Sequence, residues 1–260
     1  MAIDSVINQS YPYWKLIIID DGSNDNTYEE INKFLGDDRI SYHFQENLGV
    51  SSARNAGIEL ADTDNVVFLD SDDYFLPGLF EKLFELDLVQ YDLICWWAIK
   101  KTSIDEHLWK PRRLEAIYNY QTATFLAGSI CYKRDLLVEL GGFDTNLEFG
   151  ENYELGMRIC QNQQRIKLID KEYLVIKSKS RTEESIPQRI HSCIYQYKKH
   201  RKLFKEDQVS ETQILYMIAY LLEKSLKKTS SLRFYKSSWR SKKTNMKAFI
   251  KILLLKLQGV

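Results

Sequence analysis

Cysteine is scarce and scattered. Cys95, Cys131, Cys160 and Cys193 form no C-x-x-C pair, which excludes the usual structural zinc spacings. Buried, reduced thiols are the expectation, and with them a cytoplasmic chain. No apolar run reaches the ~18 residues of a membrane span, and no charged-then-apolar leader opens the sequence. The four histidines lack company: His43, His107 and His200 stand in no cluster of other ligating residues, and His191 reads as a polar surface residue. Internal repeats and low-complexity segments are missing. Net charge is absent as well, at a formal value of +0, but that balance conceals an asymmetry. No acid follows Glu223, whereas eleven Lys and Arg do, so the body is acidic and the tail basic.

What is present is a rhythm of strands and helices. Ile3, Val6 and Ile7 share one helical face, and Pro12 closes that segment. Lys15 to Ile19 is a β-branched strand ending at Asp20-Asp21-Gly22-Ser23, after which Asn24 to Thr27 can cap a helix through Leu35. Ile40, Tyr42 and Phe44 mark a second strand. The small-residue run Val50 to Ile58 is a helix, and Val66 to Leu69 a buried strand. Further on the pattern predicts a helix over Leu79 to Leu88, a strand over Asp92 to Ile99 and another over Ser129 to Tyr132. Helices are predicted over Asp135 to Leu140, Tyr153 to Cys160, Gln188 to Lys202, Thr212 to Lys228 and Met246 to Leu257. Residues 100–121 fit no period. Alternation of this kind implies an α/β sheet of parallel strands, with ligands at the strands' carboxyl ends. Both acidic loops, Asp20-Asp21 and Asp70 to Asp73, are expected to face one crevice there.

The strand Val66 to Leu69 delivers Asp70, Asp72 and Asp73 within four residues, a costly cluster unless a cation neutralises it. An acidic turn is the plainer reading. The wider pattern is more specific. Lys15-Leu-Ile-Ile-Ile-Asp-Asp-Gly-Ser23, Asn47-Leu-Gly-Val-Ser-Ser-Ala-Arg-Asn-Ala-Gly57 and Val67-Phe-Leu-Asp-Ser-Asp-Asp73 resemble, in order and spacing, the family 2 glycosyltransferases. Gly141-Gly-Phe-Asp144 and Gly150-Glu-Asn-Tyr-Glu-Leu155 with Arg158 resemble that family's acceptor-side segment.

The resemblance implies a GT-A-like nucleotide-diphosphosugar transferase fold over residues 1–180 and leaves 181–260 as a helical basic extension. It implies sugar transfer from a nucleotide-diphosphate donor to a glycan or lipid-linked acceptor, with inversion, in cell-surface polysaccharide synthesis. Asp70 and Asp72 match the family's D-x-D, with Asp72 contacting Mg²⁺ or Mn²⁺ and Asp70 the ribose or the metal shell. Asp21 matches the nucleobase acceptor, while Asp20 caps the turn. Arg54 matches an arginine placed near the nucleotide and the D-x-D strand, where a guanidinium holds either a phosphate or Asp72.

Three departures qualify the match. Where relatives carry Glu-Asp, with the Asp as general base, this chain reads Glu151-Asn152. Asparagine cannot take the proton, so Glu151, or Glu154 one turn along, is the expected base; otherwise the chain is an inactive nucleotide-sugar-binding or scaffold relative. Near Thr182-Glu183-Glu184-Ser185 relatives have His-x-x-Ser. Ahead of Ile3 they carry another strand, central to the sheet, so Met1 reads as an internal methionine of a longer frame or the mark of a truncated gene. Without that strand the backbone edges of Lys15 to Ile19 and Val66 to Leu69 are expected to lack a partner.

Trp96 and Trp97 read as core, with Trp109, Tyr118 and Tyr120 as possible stacking surfaces for acceptor sugars. In residues 224–260 lysines interleave with isoleucine and leucine. That segment reads either as a solvated face or as an anchor at the anionic inner face of the plasma membrane. Nothing reads bases, so nucleic acid is not an expected partner.

Overall fold

The computed structural model describes residues 1–102, 105–177 and 185–260, which form two compact units. The first comprises residues 1–113, 122–145 and 151–179. Its elements in chain order are α1 (Ala2–Ile7), β1 (Leu16–Asp21), α2 (Thr27–Asn32), β2 (Ile40–Gln45), α3 (Val50–Leu60), β3 (Asn65–Val67), β4 (Tyr74–Phe75) and α4 (Leu79–Phe84). There follow β5 (Leu93–Lys101), β6 (Glu106–Trp109), β7 (Arg112–Arg113), β8 (Thr122–Ala123), β9 (Ile130–Lys133), α5 (Arg134–Glu139), α6 (Glu151–Ile159) and β10 (Ile166–Lys177).

The sheet is mixed, which corrects the expectation of parallel strands. β1 and β2 run parallel, as do β5 and β10, but β9 lies antiparallel between β3 and β5, and β4 runs antiparallel to β10. The reason lies in residues 100–121, where the sequence shows no period. There β5 turns back as β6, pairing Ala98 with Trp109, so the chain re-enters the sheet as β9 in the opposite direction. The long strand β10 was not foreseen, because its apolar residues are broken by Asp170, Lys171 and Glu172, where the register against β5 shifts.

Among the described residues β1 pairs only with β2, and β3 only with β9. Each therefore presents one open edge, and the isoleucines of β1 and the valines of β3 stay half-buried where a central strand would be covered. The core of the unit forms around Trp96, Ile94, Leu174, Leu79 and Phe75, with Leu16 and Val67 packed against it. Trp96 is fully buried, whereas Trp97 is half-buried under Lys110, whose ammonium lies 3.8 Å from the ring centroid. None of the four cysteines is disulfide-bonded, and burial pushes the Cys95 and Cys131 thiols up to about 12, which leaves them inert at neutral pH.

The second unit comprises residues 114–121, 146–150 and 180–260 and is helical. It contains α7 (Ile186–Lys199), α8 (Arg201–Glu206), α9 (Gln208–Lys224), α10 (Lys228–Ser241) and α11 (Met246–Leu257). The predicted helix to Lys228 stops at Lys224, where Leu226 takes a positive φ of 62° and turns the chain into α10. Asp207 caps α9 by accepting from the amides of Val209 and Ser210, and its other oxygen takes the Ile117 amide at 2.9 Å. Small residues let α9 and α10 approach closely: the buried hydroxyls of Ser231 and Ser238 donate to the carbonyls of Ala219 and Thr212, each at 2.9 Å.

Candidate functional site

The acidic turn after β1 is held from two sides. Asp20 is buried, accepting from the Ser23 amide at 2.8 Å and from the Tyr42 hydroxyl at 2.7 Å. Gly22 takes φ +80° there, and a Cβ on it would stand 2.7 Å from the Asn47 backbone nitrogen, so the turn requires glycine. Asp21 also clamps: it accepts from the Gln45 side chain at 2.7 Å and from the amides of Leu48 and Gly49, both at 2.9 Å. Three of the roughly four acceptor positions of a carboxylate are therefore filled, one by the end of β2 and two by the loop that starts α3. The turn-holding role expected of Asp20 alone is shared in the structure by both aspartates.

Burial opposes the Asp20 charge, but hydrogen bonds from Tyr42 and Ser23 outweigh it and hold the carboxyl below its ordinary value of 3.8. A carboxyl depressed on folding stabilises the fold above that value and loses the contribution as pH falls through the folded one. Tyr42→Phe is therefore expected to lower the urea midpoint at pH 7, with the gap to wild type narrowing at pH 3. A gap that stays constant between the two pH values would contradict this.

α3 carries Arg54 into the centre of the site. Its side chain is 9% exposed and spans two carboxylates: Nη2 donates to Asp70 Oδ1 and Nη1 to Glu151 Oε1, both at 2.8 Å. Burial works against the guanidinium charge, yet Asp70 and Glu151 together outweigh it and keep Arg54 more firmly protonated than usual. Asn152 completes the arrangement, its amide donating to Glu151 Oε1 at 2.8 Å. Thus Asp70, in the turn after β3, and Glu151, in the first turn of α6, 81 positions apart in sequence, meet on one cation.

The remaining acidic residues divide by role. Asp73 is buried and accepts the Lys177 amide at 2.9 Å, tying the turn to the end of β10. Asp70 keeps 43% of its side chain exposed, and Asp72 is half-buried. Glu154, expected as an alternative base, is fully buried and bound by Arg158 at 2.8 Å. That guanidinium also donates to the carbonyls of Leu140 and Gly142, each at 2.7 Å, so the pair fixes the Gly141-Gly142 turn and leaves no accessible oxygen for catalysis. Asn55 holds the same turn from α3, bonding both the amide and the carbonyl of Phe143. Sequence reasoning missed Asn55 and Arg158 as clamps, though both stand inside the motifs it singled out.

Comparison with known proteins decides the family. The family described as Glycosyl transferase family 2 matches residues 1–138, just over half of the chain. The chain belongs to this family. This family 2 chain is 26% identical over 202 residues to the uncharacterized glycosyltransferase EpsJ of Bacillus subtilis, covering 72% of itself and 59% of that relative's length. It is 40% identical over 86 residues to the putative teichuronic acid biosynthesis glycosyltransferase TuaG of Bacillus subtilis, 32% of itself and 34% of that protein. The mannosyltransferase PcManGT of Pyrobaculum calidifontis, solved with GDP-Man and Mn2+, superposes with a TM-score of 0.61 at 18% identity, covering 90% of this chain and 70% of that one. The fold is accordingly of GT-A type, with a helical C-terminal region.

For this family 2 chain, no three His, Cys, Asp or Glu side chains among the described residues are grouped to hold a metal. Asp70 and Asp72 supply two hard oxygen donors, which fits a Mg²⁺ or Mn²⁺ that keeps waters and completes its shell with substrate phosphates. The Thr182 to Glu184 departure lies outside the described residues. No described helix is long and apolar enough to cross a membrane.

Proposed function

We propose that this chain transfers a sugar from a nucleotide-diphosphate donor to a glycan or lipid-linked acceptor in cell-surface polysaccharide synthesis. Transfer proceeds with inversion on the cytoplasmic side. The observation that carries this reading is the Arg54 bridge, which sets the D-x-D carboxylate Asp70 and the acceptor-side carboxylate Glu151 against one buried guanidinium at 2.8 Å each. A divalent cation bound by Asp72 and Asp70 would offset the charge growing on the diphosphate as the glycosidic bond breaks. Asp21 keeps one acceptor position for the nucleobase after its loop is served. With Oε1 of Glu151 held by Arg54 and Asn152, Oε2 takes the proton from the attacking hydroxyl.

The test is a panel of nucleotide-diphosphate sugars screened by thermal shift with and without Mn²⁺. Binding to the folded state raises its stability by RT ln(1 + [L]/Kd), about 2.7 kcal/mol at a hundredfold excess over Kd. At least one donor is expected to raise the melting temperature by several degrees, only with metal, and Asp72→Asn is expected to abolish the shift. A panel without any metal-dependent shift would contradict the proposal.

A further inference from the structure

We propose that the outward face of α11 docks on an anionic lipid bilayer. The helix has two apolar faces. Ala248, Ile252 and Leu255 point into the unit's own core, against Ala219, Leu232 and Tyr235. Met246, Ile250, Leu253, Leu254 and Leu257 recur at offsets of 0, 4, 7, 8 and 11 and are all exposed, Leu257 by 84%. A surface helix with one face already buried is ordinarily polar on the other; this one presents a stripe of five large side chains.

Charge selects the occupant. Lys242, Lys243, Lys247 and Lys256 are exposed on or just before this helix, while Lys251 is spent on Glu223 at 2.9 Å, near the inward face. No Asp or Glu occurs from residue 224 to residue 260. A second copy would bring the same cations against these, and nucleic acid would leave the apolar stripe in water. An interface rich in anionic headgroups meets both features at once, the lysines in the headgroup layer and the stripe at the acyl boundary. Sequence periodicity pointed to residues 224–260 as a whole; the structure confines the surface to α11, because α10 buries Leu232 and Tyr235 in the helical core.

The proposal is independent of the transfer reaction, and its test needs no turnover. The full chain is sedimented with phosphatidylcholine vesicles containing phosphatidylglycerol and with phosphatidylcholine alone. Leu254→Asp/Leu257→Asp removes the stripe and Lys247→Glu/Lys256→Glu the charge. All four positions are exposed, so the melting temperature is expected to stay near that of wild type. Wild type is expected to bind the anionic vesicles at least roughly tenfold more tightly than the neutral ones, and both variants are expected to lose that preference. Wild type remaining in the supernatant, or either variant sedimenting as wild type does, would overturn the proposal. So would a wild-type dimer that Leu254→Asp/Leu257→Asp dissociates while sedimentation is unchanged, which would assign the stripe to a second copy.

Discussion

Arg54→Met is expected to lower the melting temperature by roughly 10 °C. The substitution keeps the aliphatic stem and removes the cation on which Asp70 and Glu151 meet. Losing one partner of a buried pair costs about 3–5 kcal/mol, because the other charge stays behind unpaired. Here the stranded charge is chiefly Glu151, whose side chain is 11% exposed; Asp70, at 43%, regains water. The lower end of that range, about 3 kcal/mol, therefore applies, and at about 2–4 °C per kcal/mol for a domain of this size the stated shift follows. Arg54→Lys keeps the charge but cannot reach both carboxylates with separate nitrogens, and falls between wild type and Arg54→Met. A double-mutant cycle separates pairing from packing. Adding Glu151→Gln to Arg54→Met removes the stranded charge, so the second substitution costs less than it does alone and can recover stability. Additive losses, or an Arg54→Met variant as stable as wild type, would show that the bridge does not hold the site.

With Glu151 as the proposed general base, Glu151→Gln is expected to reduce sugar transfer by about 10²–10⁴-fold, the usual contribution of such a group. Glutamine fills the same volume and can still accept from Arg54 through its carbonyl oxygen, so donor binding and melting temperature change far less than turnover. The loss is expected on kcat, because the proposed role is on the acceptor proton and not on the nucleotide. Glu154→Gln tests the other carboxylate and behaves differently. It weakens the Arg158 clamp on the Gly142 turn, so its primary effect is on stability. If Glu151→Gln keeps full kcat while Glu154→Gln loses it at unchanged melting temperature, the two roles are reversed.

Much of the site was legible because its residues sit in contiguous strings. The Asp20-Asp21 turn, the α3 run around Arg54 and the Asp70 to Asp73 cluster each combine a strand or helix end with the residue type that belongs there, and local chemistry suffices to place them. The Arg54–Glu151 contact was not legible. It joins positions 97 apart, and no local periodicity encodes a side-chain meeting at that range. The same holds for Glu154: its first-turn position on α6 resembles that of Glu151, and only the Leu140 and Gly142 carbonyls bound by Arg158 show that it faces inward. In the fold, β10 was hidden by charged residues at its irregular centre; the strand at β9 was foreseen, but its antiparallel direction was hidden by the excursion that reverses the chain. The helix boundary at Lys224 depended on a single residue, Leu226, in a conformation that its side chain does not announce.

The most direct test of the account is turnover of a nucleotide-diphosphate sugar panel by wild type and Asp72→Asn, with Mn²⁺ and with chelator, read as release of the nucleoside diphosphate alongside nucleotide binding. Release from at least one donor is expected for wild type with Mn²⁺, none with chelator, and none from Asp72→Asn at an unchanged melting temperature. Wild type that binds nucleotide yet releases product from no donor would contradict it and mark the chain as a non-catalytic member of the family.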